Sequence, residues 1–406
     1  MLTPNAARFD AWIRTPFCET NTELETLYAN APNRLAVADY GHDLKAALCR
    51  EGRVLIQALL REGNTDEGFA NNFDLLGNVG FYMAACARHQ ITPDIAGEAA
   101  HQREATALAL QLGAGIGVAP RFVSSHLMTH NRAYGGVYKR FTSLPDERLF
   151  IDHNTLGVLA YTRASQALMH IQPLGISHPV VLHLFDTATA ALGDVIANNQ
   201  VLYNQLDANQ FFYHVRPYYK PHKVGTSTFR GANAGDFAGI NVIDLLLGLC
   251  MPDQAFYSQL LVDKLMYIMP GERLVLRDVM RQKDLLTQFL ECADAEAGSD
   301  WFQRHAAAFL RVCQAHGQTA LQHHNQLVKR FIEHMAEQLP AKSQQGGLTA
   351  SGPPLPVLLR SLEILRDMRT ATPRDDVNTR FQDMATLRAL VQSEPAGQPP
   401  ALPSAG

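Results

Sequence analysis

The chain has 406 residues, 47% hydrophobic and 18% charged, with 35 Lys and Arg against 39 Asp and Glu for a formal net charge of −4. This is a globular composition, sized for one large domain or two, and no basic run of five or more residues favours nucleic acid or an anionic membrane. The six cysteines stand far apart with no Cys-x-x-Cys pair, which excludes a disulfide framework or zinc ribbon and suits single thiols in a reducing compartment.

The first residues lack the apolar core of a signal peptide, so a cytoplasmic protein is expected. Residues 1–35 read as mixed and turn-rich, punctuated by Pro4, Pro16 and Pro32. Helical periodicity follows at 43–62 and at 71–89, the second with Gly77 and Gly80 where another helix could approach closely, and again at 97–112. Glycines and prolines break up 113–148. Helices resume at 147–168 and 179–206, and 211–219 is a short aromatic stretch. Residues 221–237 form a loop with no alternating strand pattern. Helices are then predicted at 238–250, 255–269, 272–292 and 301–338, and after a loop at 340–356 two more at 358–368 and 376–391. The longest apolar run, 242–251, is interrupted by Asp244 and is far short of a membrane span. No repeat and no run of strands appears, so the fold class is all-α. The expected divisions are an N-terminal helical segment 1–70, a main helical domain 71–392 and a disordered tail 393–406.

Four places carry chemistry. In 301–338, Leu310, Cys313, Gly317, Leu321, His324, Val328 and Met335 fall on one helical stripe. A histidine preceded by residues as small as Gly317 and Ala320 leaves room for a flat body, as the axial ligand of a haem requires. It is equally the pattern of an ordinary core histidine, and His323, in line with His316, Ala320 and Leu327, competes for the role. In F-F-Y-H-V-R-P-Y-Y at 211–219, Arg216 beside Phe211 and Phe212 would suit an aromatic amino acid, whose ring and carboxylate need separate recognition. Alternatively, Arg216 pairs with an internal acid. His153, flanked by Asp152, Asn154 and Thr155, could steer a proton, or be the exposed neighbour of a capping Asp152. The loop Q-Q-G-G-L-T-A-S-G at 344–352 offers backbone N–H groups with Thr349 and Ser351, yet it is neither a Walker loop nor a dinucleotide fingerprint. Hydrolase signatures such as Gly-x-Ser-x-Gly and His-Glu-x-x-His are absent.

The order of these motifs resembles the monodechloroaminopyrrolnitrin synthase family, a branch of the superfamily of indoleamine and tryptophan 2,3-dioxygenases. The resemblance rests on N-V-G-F-Y-M-A-A-C-A-R-H near residue 80, S-L-P-D-E at 143–147, F-F-Y-H-V-R-P-Y-Y-K-P at 211–221, G-A-N-A-G-D-F-A-G-I-N-V-I-D-L-L-L-G at 231–248, His324 with Arg330, and the glycine loop at 346–352. It implies an all-α, indoleamine 2,3-dioxygenase-like fold enclosing haem b, with His324 as the iron ligand by its spacing to Arg330. It also implies an aromatic pocket of Phe211, Phe212 and Arg216, a distal loop of Asn233, Ala234 and Gly235, a distal histidine at His153, and a substrate-closing loop containing Gly347, Thr349 and Ser351. In that loop a leucine follows the glycine pair, a departure that bears on substrate identity.

The expected function is a haem-dependent oxygenase acting with dioxygen on an aromatic, indole-type amino acid. Rearrangement of a halogenated tryptophan ring and a non-catalytic haem sensor are the alternatives, and a homodimer and an external electron donor stay open. Neither nucleic acid nor a membrane is an expected partner.

Overall fold

The computed structural model describes residues 3–63, 68–91, 101–339 and 353–391. Its main helices are α1 (Pro4–Arg14), α2 (Pro16–Asn30), α3 (His42–Glu62), α4 (Phe69–Arg88), α5 (His101–Ile116), α6 (Pro145–Met169), α7 (Val180–Gln205), α8 (Gly239–Leu246), α9 (Ala255–Leu265), α10 (Pro270–Val279), α11 (Leu285–Glu296), α12 (Asp300–Gln322), α13 (Leu355–Arg369) and α14 (Phe381–Leu390). The all-α expectation holds. Gly347, Thr349 and Ser351 and the tail at 393–406 lie outside the described residues.

Pro4 and Pro16 start helices where turns were expected, while Pro32 lies in the bend that follows α2. Pro4 and Pro16 each occupy the first turn, where the missing N–H is no loss and the fixed φ is already helical, and Thr3 caps α1 by accepting from the Ala6 N–H. The single helix expected over 272–292 is two. α10 ends at Val279 and α11 restarts at an Asp284 N-cap, which accepts from the Thr287 N–H at 2.8 Å. Within 221–237 a short hairpin pairs His222–Val224 with Ser227–Phe229 around Gly225, whose φ is +64°. Three-residue strands are too short to show alternation. Gly77 and Gly80 do allow a close approach, but of the 119–128 loop rather than a helix: a Cβ at Gly80 would lie 2.2 Å from the Phe122 nitrogen.

Two apolar cores result. One joins α1, α3, α4 and α5 to the first half of α6 and to the 206–237 segment, so Phe9, Trp12 and Phe17 of the first segment share a core with Phe81, Phe122 and Phe141. The other gathers the second half of α6 with α7 to α14. α7 is long and apolar enough to cross a membrane by length and composition. Its stripe of Val181, Phe185, Ala188, Leu192 and Val195 is instead buried, with Phe185 against Phe289 and Phe309. Tyr161 of α6 packs against both cores and marks the seam between them.

α12 begins at a Ser299 cap and runs regularly to Gln322. The backbone then widens into a π-helix, His323–Glu333. Wide turns of this kind cost hydrogen-bond geometry and recur where a side chain must be aimed. Both candidate histidines, 323 and 324, sit at its opening.

Candidate active site

The aromatic segment belongs to the first core, through Phe211, Val215, Tyr218 and Tyr219. Phe211–Val215 form a π-turn and Arg216–Tyr219 a 3-10 turn. What holds them is an acid that sequence reasoning did not single out. Glu25 of α2, almost wholly buried, accepts two bonds from Arg88 at 2.7 Å each and one from His214 Nδ1 at 2.9 Å. Arg88 also donates to the Tyr213 carbonyl at 2.9 Å. Against the penalty of burial, the Arg88 charge and these hydrogen bonds hold the Glu25 carboxyl down at about 2. Because the folded value lies below the ordinary 4.5, Glu25 stabilises the fold above about pH 4.5, and that contribution is lost as pH falls toward 2. Glu25→Gln is expected to destabilise the protein by about 3 kcal/mol at neutral pH, since it leaves the buried Arg88 charge unmatched. In urea midpoints measured against pH, the gap from wild type should close between about pH 4.5 and 2; a pH-independent gap would refute this role.

Phe211 packs on Phe150 of α6 at 4.9 Å between ring centroids and on Phe331 of the π-helix at 5.9 Å. The Arg216 guanidinium lies 5.0 Å from the Phe212 ring centroid. Arg216 has no carboxylate partner among the described residues, so the internal-acid reading is not what the fold builds. The side chain is half-buried, yet enclosed enough that burial alone pushes its pKa down to about 10. A half-buried guanidinium over an aromatic ring keeps its planar fork of donors available to a carboxylate.

The 231–237 loop is held rigidly. Asp236 is gripped by both Arg230 nitrogens at 2.9 and 2.8 Å, and accepts from the Asn233 N–H at 3.2 Å. Asn233 Oδ1 accepts from the Gly235 N–H at 2.9 Å, and Lys264 Nζ donates to the Gly235 carbonyl at 2.6 Å. Ala234 packs on the first core, and Phe237 meets Tyr161 at 5.8 Å, which brings the loop to the seam.

On the π-helix, His324 is half-buried and its Nδ1 is buried with no hydrogen-bond partner among the described residues. Burial, then the nearby Arg366 and Lys329 charges, lower its pKa, so the ring is neutral at physiological pH. His323 is also neutral, pushed to about 4 first by burial and then by Arg369. Its side chain is solvent-exposed at the opening of the π-helix. Arg330 donates to the Tyr203 carbonyl at 2.5 Å and lies over the Tyr203 ring at 4.9 Å, fixing the far end of the π-helix to α7.

Two turns upstream, His316 Nε2 donates to Asp244 Oδ1 at 2.6 Å. Arg369 grips both Asp244 oxygens at 2.8 Å, and the Tyr257 hydroxyl donates to Asp244 Oδ2 at 2.8 Å. The residue that interrupts the apolar run is thus a fully buried acid joining α8, α9, α12 and α13. An acid inside an apolar run is the sequence signal that could have singled it out.

His153 sits in the third turn of α6, and Asp152 pairs with Arg148 rather than capping. His153 Nδ1 meets Asn198 Oδ1 of α7 at 2.9 Å, and Asn198 spends its own N–H on the Asp194 carbonyl. The Asn198 oxygen is therefore the acceptor, so His153 carries its proton on Nδ1 and keeps Nε2 as an acceptor. Phe211 thus packs on α6 and the π-helix within the first core, with the Arg216–Phe212 pair next to it in the chain, while the 231–237 loop meets α6 further along at Tyr161 and His153 faces α7.

Among the described residues no three His, Cys, Asp or Glu side chains converge as a protein-built metal site would need. A neutral imidazole with an unpartnered nitrogen is the donor chemistry that an iron bringing its other ligands in a macrocycle would need. The family model described as Monodechloroaminopyrrolnitrin synthase PrnB matches residues 3–391. Covered along nearly its whole length, the chain belongs to the monodechloroaminopyrrolnitrin synthase family, an all-α family of haem-dependent oxidoreductases.

Proposed function

We propose that this chain is a haem-dependent oxygenase of an aromatic, indole-bearing amino acid, with His324 holding the haem b iron and dioxygen as co-substrate. The observation that carries the substrate class is Arg216, a half-buried cation on a phenylalanine ring with no carboxylate partner among the described residues. Haem, when bound, supplies oxygen activation; the protein supplies position and dryness. Arg216 forks the substrate carboxylate while Phe211 and Phe212 wall the ring. Asn233, Ala234 and Gly235, held by Asp236 and Lys264, bound the space on another side. His153 faces α7 through Asn198, and its place here, with Nε2 accepting a substrate N–H, rests on the family resemblance alone. Gly347, Thr349 and Ser351 complete the proposal as the closing loop. Because the matching family is named for a synthase of a chlorinated pyrrole, ring rearrangement of a halogenated tryptophan is the second reading. Product mass separates the two, oxygenation adding one or two oxygen atoms and rearrangement none.

The assignment of His324 is supported by its unpartnered nitrogen and its spacing to Arg330. His323 is the specific rival because it stands beside His324 at the opening of the π-helix and is likewise neutral. In absorption spectra of haem-loaded protein, His324→Ala is expected to abolish the histidine-bound species and His323→Ala to retain it. The reverse result would move the ligand by one residue, and a colourless wild-type protein after reconstitution would end the haem reading.

A further inference from the structure

Between α5 and α6 the chain makes a tight turn around Gly135 and Gly136, whose φ angles are +55° and +80°. Tyr134 and Val137 close it by exchanging two backbone hydrogen bonds at 3.0 and 2.9 Å. The neck of the turn is firmly held. Arg14, buried and gripped by Asp10 at 2.6 Å, donates to the Arg132 and Val137 carbonyls at 2.8 and 2.7 Å. Asn131 is bonded to the Lys139 backbone in both directions, at 2.7 and 3.0 Å. The apolar side chains on this fixed backbone are nevertheless left outside: Tyr134 is 65% exposed, Tyr138 46% and Val137 39%. Single exposed apolar residues need no account, but three within five residues on so well-held a turn mark a contact surface. Because the turn is already ordered, docking it costs little further entropy.

Six residues beyond Val137, the Ser143 N–H and hydroxyl both donate to the Thr22 hydroxyl of α2, at 2.8 and 3.1 Å. Beside this junction lies a cleft of about 340 Å³, lined by Glu19, Thr22, Glu23, Thr26, Leu27 and Ser143. Glu19 and Glu23 are exposed and four residues apart on one face of α2, a spacing at which like charges repel, and neither has a cationic partner among the described residues. At the turn, the exposed Arg132 guanidinium has no acid among the described residues. One short segment, 138–143, therefore joins an apolar turn flanked by unmatched positive charge to a cleft flanked by unmatched negative charge.

We propose that this face binds a second copy of the chain about a two-fold axis, the 132–138 turn of each protomer seated in the α2 cleft of the other. Arg132 then meets Glu19 and Glu23 of the partner subunit, and the two tyrosines leave water. An isologous interface needs both complementary halves on one surface, and here they adjoin. An anionic membrane would meet the repelling acidic pair along with the tyrosines, whereas a second copy supplies a match for both. The pairing does not depend on what the candidate active site binds.

The test follows the mass of the full chain against concentration by analytical ultracentrifugation. Wild type should pass from 44.8 kDa to twice that mass as its concentration rises through the micromolar range. Tyr134→Ser/Tyr138→Ser, Arg132→Glu and Glu19→Arg/Glu23→Arg should each weaken the dimer by roughly tenfold or more. Mixing the Arg132→Glu chain with the Glu19→Arg/Glu23→Arg chain should restore it, because opposite charges then face each other at both contacts. Damage to folding would not be repaired by mixing, and should the tyrosine variant not fold, the two charge variants and their mixture decide alone. A wild type that stays monomeric, a dimer indifferent to these substitutions, or a mixture that stays apart overturns the proposal. So does a monomeric wild type that sediments with phosphatidylserine vesicles through Tyr134 and Tyr138, which would give the turn to a membrane instead.

Discussion

Asp244→Ala is expected to destabilise the protein by about 3–5 kcal/mol, read as a lowered urea midpoint. The carboxylate is the shared acceptor of His316, Arg369 and Tyr257, and it is wholly buried. Its removal leaves a guanidinium without its anion, and an imidazole N–H and a hydroxyl without acceptors, all inside the second core. Burial would raise the Asp244 pKa, but the Arg369 charge and the His316 and Arg369 hydrogen bonds outweigh it and hold it below the usual carboxylate range. The stabilisation is therefore present above the ordinary value of 3.8 and is lost as pH falls below it. His316, whose pKa burial lowers, opposes folding under the same acidification, because protonating it inside the core is unfavourable. Asp244→Asn should recover part of the loss by keeping an acceptor oxygen without the charge. A midpoint unchanged in Asp244→Ala would show that the network contributes nothing net. On the haem reading proposed above, the substitution should also weaken haem retention, because His316 lies on the helix that leads into His323 and His324.

Arg216→Ala is expected to weaken aromatic amino acid binding by about 2–5 kcal/mol while leaving haem in place, since it removes one side of a desolvated ion pair. A substrate-induced spectral titration of the haem-loaded protein reads both effects at once. Arg216→Lys should recover little, because an ammonium cannot reproduce the two parallel donors of the guanidinium fork. The stability of the free protein should hold or rise, as no internal acid depends on Arg216 among the described residues and its own burial is unfavourable. Unchanged substrate affinity would remove Arg216 from the pocket.

The helices were legible where an apolar stripe repeated over many turns, as at 43–62, 147–168 and 179–206, which match α3, α6 and α7 to within a few residues. They were misread where one residue type serves two purposes. Pro4 and Pro16 can end a segment or begin one, and the residues C-terminal to each decide between the two. Asp284 breaks an otherwise periodic run because its side chain caps α11, a competition that periodicity does not register.

At the site, residue chemistry alone nominated Arg216 with its phenylalanines and a histidine near the end of a long helix, and the ordered motifs pointed to the family that the chain proves to match. Partners needed the tertiary structure. That Arg216 has no acid among the described residues, that His153 is engaged by Asn198, and that Glu25 reaches 189 positions along the chain to His214 are relations across the fold. A local pattern states what a side chain can bond. Which groups reach it, and whether water is there to match its charge, depend on how distant segments pack, and these decide whether an arginine is a structural ion pair or a receptor.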